Sequence, residues 1–226
     1  MLTAALLCGT GAATEPVGDD ELVQVRRKGI ETVYLRPGAD FRPYAKLMIE
    51  QAPIAFHPEW FRELNASVKA PRERIRPEEA DLILADMHKA FNEAFPVALF
   101  AMGVVGVQTA APDVVQLRPR VEDLFVSVPT VDMRNFFNMR RAETAGRAVL
   151  VLEIRDSTSG MVLARIRDKR EAPQGYERMF ATREGNIREF RLLFKNWAEL
   201  VAWELHDLQR RSPLPETLKP GKKLPD

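Results

Sequence analysis

A short turn between two apolar runs stands near the middle of the sequence. Residues 148–154 are almost entirely aliphatic, residues 156–160 combine Asp, Ser, Thr and Gly, and a second aliphatic run begins at Met161. Side chains of Asp, Ser and Thr hydrogen-bond nearby backbone in turns, and glycine adopts positive φ without steric cost. Residues 147–170 therefore predict a β-hairpin whose first strand, apolar on both faces, lies inside a sheet. The second strand becomes polar at residues 167–170, which predicts that it runs out into solvent.

Two amphipathic segments predict long helices. Residues 77–95 begin with a proline and several acids, which suit a first helical turn, and then repeat apolar residues at spacings of three and four. Pro96 is predicted to end this helix. Residues 186–210 begin at Asn186, a good N-cap, and carry a continuous apolar stripe. Each helix has a single apolar face, which requires a sheet or another helix to cover it.

The remaining apolar segments predict strands. Residues 46–56 predict a strand that lies at an edge or bends at Pro53, because proline has no N–H to donate. In residues 114–128 the apolar alternation changes phase near residues 122–123, which predicts a β-bulge. The segments together predict an α+β (two-layer α/β) fold, in which a mixed, largely antiparallel sheet carries two long helices on one side.

Composition excludes several classes of protein. The 226 residues suffice for one domain with a full core, and a formal net charge of +1 leaves no electrostatic footprint for nucleic acid. The longest apolar stretch, residues 97–107, has about half of the ~20 residues that a bilayer span requires, so we interpret it as a buried strand or loop. The single cysteine, Cys8, cannot form an internal disulfide or a thiolate metal cluster.

The ends of the chain differ in composition from its centre. Residues 1–13 are small and apolar, with an Ala-x-Ala-like end, and predict the remnant of a secretion signal. Cys8 is a candidate for lipidation, although Leu7 stands where a lipobox has a small residue. Residues 14–30 predict a flexible lead-in, residues 31–210 a single α/β domain, and the proline- and lysine-rich residues 211–226 a disordered tail.

No catalytic or cofactor motif stands in the sequence. A phosphate loop, a dinucleotide glycine pattern and a nucleophile elbow are all missing from it. The three histidines, His57, His88 and His206, are far apart in sequence, whereas a metal site needs ligands at defined spacing together with carboxylates. We therefore predict no catalytic residue, no metal and no cofactor.

One connecting segment, residues 133–141, alternates apolar and basic side chains. Such a pattern is typical of a contact with a partner protein or with an anionic membrane surface. The alternative is a loop or short helix that folds back over the sheet with its arginines in water. The candidate contact residues are Arg134, Phe136, Phe137, Arg140 and Arg141.

The chain resembles the domain of unknown function 3313 family of bacterial lipoproteins. The resemblance is carried by residues 33–44, the strand 46–56 with Trp60, the hairpin residues 152–164, and residues 194–198 of the last helix. It covers most of the chain. The resemblance implies an exported, often lipidated envelope protein of a Gram-negative bacterium, and it implies no activity and no catalytic residues.

These observations lead to two hypotheses about function. The first is a non-enzymatic envelope protein, periplasmic or anchored to the outer membrane, that binds an envelope protein or a membrane surface, or assists assembly. The second is a small-ligand carrier or an enzyme with a pocket between sheet and helices. Convergence of the histidines with carboxylates in a concave site would favour the second, and an exposed apolar patch would favour the first. The sequence leaves the oligomeric state open.

Overall fold

The computed structural model describes residues 21–66, 68, 71, 74–127, 144–173 and 182–224. Three helices and eight strands lie in these ranges. The strands are β1 (Val23–Val25), β2 (Thr32–Leu35), β3 (Lys46–Ile49), β4 (Ile54–Phe56), β5 (Val105–Gly106), β6 (Val114–Val126), β7 (Thr144–Asp156) and β8 (Val162–Pro173). The helices are α1 (Trp60–Ala66), α2 (Pro77–Ala101) and α3 (Arg183–Arg211).

The described strands form one mixed sheet in the order β1-β2-β8-β7-β6-β3-β5, with β4 also beside β6. The pairs β1–β2, β2–β8, β8–β7 and β7–β6 are antiparallel, whereas β3 and β4 run parallel to β6, and β5 runs parallel to β3. Helices α2 and α3 pack on one another, and α3 lies across β7 and β8. The predicted α+β fold, a mixed and largely antiparallel sheet with two long helices packed on it, is confirmed.

The predicted hairpin is the centre of the sheet. Strand β7 pairs with β8 along nearly its whole length and with β6 on its other side. The Asp156 carboxylate accepts hydrogen bonds from the backbone N–H of Thr158 at 3.1 Å and of Ser159 at 2.6 Å, and Gly160 has a φ of 72°. The turn therefore forms for the reasons that its residue types predict. The predicted exit of β8 into solvent is wrong, because β8 stays paired to Pro173 and buries the side chain of Asp168 beneath α3.

Both long helices are confirmed, but their ends differ from the prediction. Helix α2 continues through Pro96 to Ala101, so the prediction that proline ends it is wrong. Proline removes one helical hydrogen bond, and burial of Ala98 and Leu99 against the core offsets this loss in the last turn. Helix α3 begins at Arg183, and the hydroxyl of its N-cap, Thr182, accepts a hydrogen bond from the N–H of Gly185 at 2.9 Å. The predicted N-cap, Asn186, lies one turn inside the helix.

The predicted bulge in β6 is confirmed. The register with β7 shifts between Glu122 and Phe125, and Asp123 has a φ of 51°. Asp is one of the few residues that tolerates this left-handed conformation. The bulge reverses which side chains face the helices, so Val121 and Leu124 are both buried in the core.

The described parts of the predicted lead-in and tail are folded against each other. Strand β1 pairs with β2, the N–H of Arg26 donates to the Lys222 carbonyl at 2.9 Å, and the N–H of Gly221 donates to the Gln24 carbonyl at 2.9 Å. The tail is anchored by leucines in the core. They are Leu214, Leu218 and Leu224. The three buried leucines offset the cost of ordering this polar segment. The predicted division into a flexible lead-in, residues 14–30, one domain, residues 31–210, and a disordered tail, residues 211–226, stays a prediction. Residues 1–13 lie outside the described residues.

Candidate functional site

The residues predicted to contact a partner or membrane are not described by the structure. Arg134, Phe136, Phe137, Arg140 and Arg141 all lie outside the described ranges. Cys8, the candidate for lipidation, also lies outside the described residues. Both predictions stay predictions.

The histidines occupy three different elements. His57 follows β4 and accepts a hydrogen bond at Nδ1 from the N–H of Glu59 at 3.2 Å, His88 lies in α2, and His206 lies in α3. Within the described ranges, no three His, Cys, Asp or Glu side chains lie close enough to hold a metal ion. The three histidines therefore do not join carboxylates in a metal site within the described part of the chain.

The sheet face turned away from α2 and α3 carries a ladder of ion pairs. Glu153 contacts the guanidinium of Arg155 at 2.6 Å and that of Arg165 at 2.9 Å. Burial disfavours the Glu153 carboxylate, but the hydrogen bonds from the two arginines outweigh burial and hold its pKa below the usual range. Arg118 contacts Glu50 at 2.8 Å in the same manner. These arginines are engaged by carboxylates of the same face, so they stabilise the sheet rather than form an anion site.

A second charged cluster is buried between β1 and α3. Nε of Arg27 lies 2.6 Å from Oε1 of Glu204, and the same guanidinium contacts Asp207, which also accepts a hydrogen bond from Arg211 at 2.7 Å. The Glu204 side chain is completely buried, and burial raises its pKa, although Arg27 acts in the opposite direction. The Arg27 N–H does not point at the Glu204 oxygen, so the contact is an ion pair without a well-aligned hydrogen bond. The cluster connects two segments that are 180 residues apart in sequence.

A cavity of about 170 Å³ lies between the segment before β3, the end of α2 and the last turns of α3. Tyr44 lies in its wall, where its hydroxyl donates to Asp156 at 2.9 Å and its carbonyl accepts from the Gln209 amide at 2.6 Å. Burial and the Asp156 carboxylate raise the pKa of Tyr44, so this hydroxyl stays protonated and cannot act as a base. Sites for small molecules usually enclose about 300–1,000 Å³, so this cavity is small for a ligand carrier.

An exposed apolar surface adjoins this cavity at Met102, which lines the cavity and is itself exposed. It is formed by the last turn of α2, the following turn and β5, and we call it the apolar edge. Its defining side chains are Val97, Phe100, Met102 and Val105, with exposed fractions of 63%, 44%, 52% and 54%. No charged residue occurs in residues 94–112, although 29% of the chain is charged. Contiguous exposed apolar side chains of this kind mark interaction sites.

The apolar edge also contains the last strand of the sheet. Strand β5 pairs with β3, and no described strand pairs with its other side. At the opposite end of the sheet, the backbone of β1 is hydrogen-bonded by residues 221–222 of the chain's own C-terminal segment. An unpaired strand edge is a template for pairing with another chain, and proteins usually protect it with Lys, Pro or a covering segment. Strand β5 has no such protection within the described residues.

The sequence interpretation of residues 97–107 as a buried strand or loop is wrong. Their first part, through Ala101, completes α2, and their second part forms the exposed edge strand. The sequence signal for this surface was the long stretch without charged residues, residues 94–112. Such a stretch is equally typical of a contact surface and of a buried strand. None of the described helices has the length and the apolar character needed to cross a membrane.

No family model and no curated protein sequence matches this chain. Among solved structures, the PelC dodecamer from Paraburkholderia phytofirmans is 13% identical with a TM-score of 0.36, and the match covers 75% of this chain and 96% of that chain. A Xanthomonas campestris protein assigned to the domain of unknown function 330 family is 13% identical with a TM-score of 0.43, and the match covers 84% of this chain and 96% of that chain. Both TM-scores are too low to carry an argument about function. The resemblance to the domain of unknown function 3313 family stays a prediction.

Proposed function

We propose that this chain is a non-enzymatic protein of the bacterial cell envelope, periplasmic or anchored to the outer membrane, that binds or assembles with other proteins through the apolar edge. The observation that carries the proposal is the β5 edge, which no described segment covers, beside the exposed side chains of Val97, Phe100, Met102 and Val105. A surface of this composition costs free energy in water and is stabilised when another protein covers it.

The cellular location in this proposal rests on the sequence. The small, apolar residues 1–13 fit the end of a secretion signal, and Cys8 is the proposed position of a lipid anchor. Membership of the domain of unknown function 3313 family is part of the same proposal and is supported by the motifs in residues 33–44 and 152–164. The basic and aromatic residues 134–141 are proposed as a second contact with a partner or membrane.

A small-ligand carrier or an enzyme fits the described site less well. The cavity is small, at about 170 Å³, and the polar groups of Tyr44 at its wall are occupied by Asp156 and Gln209. Its histidine, His206, has no second histidine beside it in the described part of the chain. The geometry therefore supports binding of a protein better than turnover or transport of a small molecule.

Affinity isolation from the native envelope tests the binding role. The tagged full-length chain is compared with a Val97→Lys/Met102→Lys variant, which places two cations on the apolar edge. The matched control is Leu192→Lys, which makes the same change on an exposed leucine of α3 with an exposed fraction of 44%. We expect proteins that copurify with the wild type and the control to be lost from the edge variant. Identical sets of proteins with all three chains would contradict the proposed role of the edge.

Fractionation of cells that express the full gene tests the location. We expect a processed chain in the periplasmic or outer-membrane fraction, with incorporation of labelled lipid when Cys8 is the anchor. A Cys8→Ser variant should then lose the label but not the export. Recovery of an unprocessed chain from the cytosol would refute the proposed location.

A further inference from the structure

The two edge strands of the sheet, β1 and β5, differ in whether a described segment of the chain covers them. At the β1 end, the N–H of Arg26 donates to the Lys222 carbonyl and that of Gly221 donates to the Gln24 carbonyl, both at 2.9 Å, so the C-terminal segment covers this edge. At the β5 end, β5 is the last strand and both of its residues are exposed. Within the described residues, the chain covers the β1 edge with its own segment and leaves the apolar β5 edge uncovered, so the β5 edge is suited to pairing with another strand.

One residue of β5 directs its backbone N–H and C=O away from the sheet. The N–H of Val107 donates to the Leu47 carbonyl of β3 at 2.8 Å, so residue 107 turns its backbone groups inward. Because successive residues of a strand direct their N–H and C=O to opposite sides, Gly106 directs both of its groups away from β3. Gly106 is therefore the residue through which a further strand would pair.

We propose that a second copy of this chain pairs with the β5 edge, antiparallel and around a twofold axis beside Gly106. In an antiparallel ladder, two opposed residues can exchange both N–H···O bonds. Gly106 would do so with the partner's Gly106, which places Val105 opposite the partner's Val107. This inference rests on the proposed binding role of the apolar edge and names its partner.

The side chains around Gly106 fit this pairing. The Phe100 ring covers one face of Gly106, and a Cβ at that position would lie 2.5 Å from two ring carbons, so the glycine permits the ring to lie on the strand. Gly106 therefore turns its Cα hydrogen toward Phe100, and the neighbouring Val105 turns its side chain to the other sheet face. A twofold axis would bring the two Phe100 rings together on one face, and the valines together on the other. Aromatic and β-branched cross-strand pairs are the ones that stabilise sheets.

Charge distinguishes a second copy from other occupants. Identical strands paired around a twofold axis bring like charges together, and residues 94–112 contain none, so the edge can pair with itself without repulsion. A surface that binds an anionic membrane carries lysines and arginines beside its apolar side chains, and this stretch has neither. In the twofold dimer the β5 edge of each copy covers that of the other, so the assembly stops at two chains.

Sedimentation velocity of the full chain over a dilution series tests the proposal. We expect wild-type protein with twice the mass of one chain, which dissociates on dilution. A Val105→Lys/Val107→Lys variant and a Val105→Glu/Val107→Glu variant should each sediment as a monomer, because like charges face each other across the axis. An equimolar mixture of the two variants should regain the doubled mass, since opposite charges then face each other. Leu192→Lys is the matched control and should remain a dimer.

Three outcomes would overturn the inference. They are a wild type that is monomeric up to its solubility limit, charged variants that still double their mass, and a mixture that stays monomeric. A monomeric wild type that still retains envelope proteins through the edge in the affinity experiment would remove the self-pairing and leave the proposed binding function in place. A wild-type dimer that retains no envelope proteins in the affinity experiment would leave the self-pairing in place and remove the proposed binding of other envelope proteins.

Discussion

Arg27 joins the first strand of the sheet to the last helix through two carboxylates of α3. Its Nε lies 2.6 Å from Oε1 of the fully buried Glu204, and its terminal nitrogen contacts Asp207. The guanidinium also lies 5.9 Å from the ring centre of Trp203. Replacement of Arg27 by alanine removes the cation that faces Glu204, while Asp207 keeps a second one in Arg211.

The expected cost follows from the burial of Glu204. Removing one member of a buried ion pair typically costs about 3–5 kcal/mol, because the remaining charge has neither water nor a counterion. Burial already raises the pKa of Glu204, so proton uptake limits the penalty to the lower part of this range. We expect Arg27→Ala to lower the free energy of unfolding by about 3 kcal/mol at neutral pH, or roughly 6–12 °C in melting temperature for a chain of this size.

Guanidinium unfolding followed by tryptophan fluorescence measures this difference, with Arg26→Ala as the matched control. Arg26 is the exposed neighbour whose contact with Lys222 uses only backbone atoms, so its truncation should cost less than about 0.5 kcal/mol. In a Glu204→Gln background, Arg27→Ala should cost about 1–2 kcal/mol less than in the wild type, because no buried charge is left behind.

The pH dependence has a definite sign. Glu204 has a raised pKa in the folded state, so its contribution favours folding at acid pH and is lost as pH rises from its unfolded value, about 4.3, through the raised pKa. Asp207 has a lowered pKa, because the hydrogen bonds from Arg27 and Arg211 outweigh the effect of burial, so its contribution is lost as pH falls below about 3.9. Removing Arg27 raises both pKa values, so the difference from wild type should shrink as the solution is acidified.

Two results would refute this reasoning. A loss for Arg27→Ala no larger than that for Arg26→Ala would mean that the N-terminal strand is not held by the cluster. A loss that does not shrink as the solution is acidified from neutral pH, although acid protonates a carboxyl with a raised pKa, would mean that an unpaired buried Glu204 is not its cause.

Two further substitutions and one comparison variant test the packing and the turn of the sheet. Gly146 has a φ of 146°, and a Cβ there would lie 2.0 Å from the Phe125 carbonyl oxygen, so Gly146→Ala should cost more than about 3 kcal/mol in chemical unfolding. Gly160→Ala is its comparison, with a φ of 72° and free space around the new methyl group, and should cost only about 1–2 kcal/mol; equal costs would contradict the steric account. Trp197→Phe removes the 2.9 Å hydrogen bond from the indole N–H to buried Asp168 and should cost about 2–3 kcal/mol; a loss under about 0.5 kcal/mol would show that water or a neighbour replaces the bond.

The apolar edge could be predicted only in part from the sequence. The lack of charge in residues 94–112 is visible in the sequence, and it does not tell an exposed edge from a buried strand. That distinction depends on which strand lies beside β5 and on whether another segment covers it. Pro96 also misled the prediction of the helix end, because the helix continues through this proline to Ala101, with Ala98 and Leu99 buried beyond it.

The fold likewise has features that the local sequence determines and features that depend on tertiary structure. Local chemistry determined the hairpin around residues 156–160, the bulge near Asp123 and the two long helices, because turn residues and apolar periodicity act over a few neighbouring positions. Tertiary structure alone decided the parallel pairing of β3 with β6 and the docking of the C-terminal segment on β1. It also placed Arg27 against Asp207, 180 residues away. Contacts at such separations leave no periodic signal, since they depend on which surfaces remain uncovered after the local elements have packed.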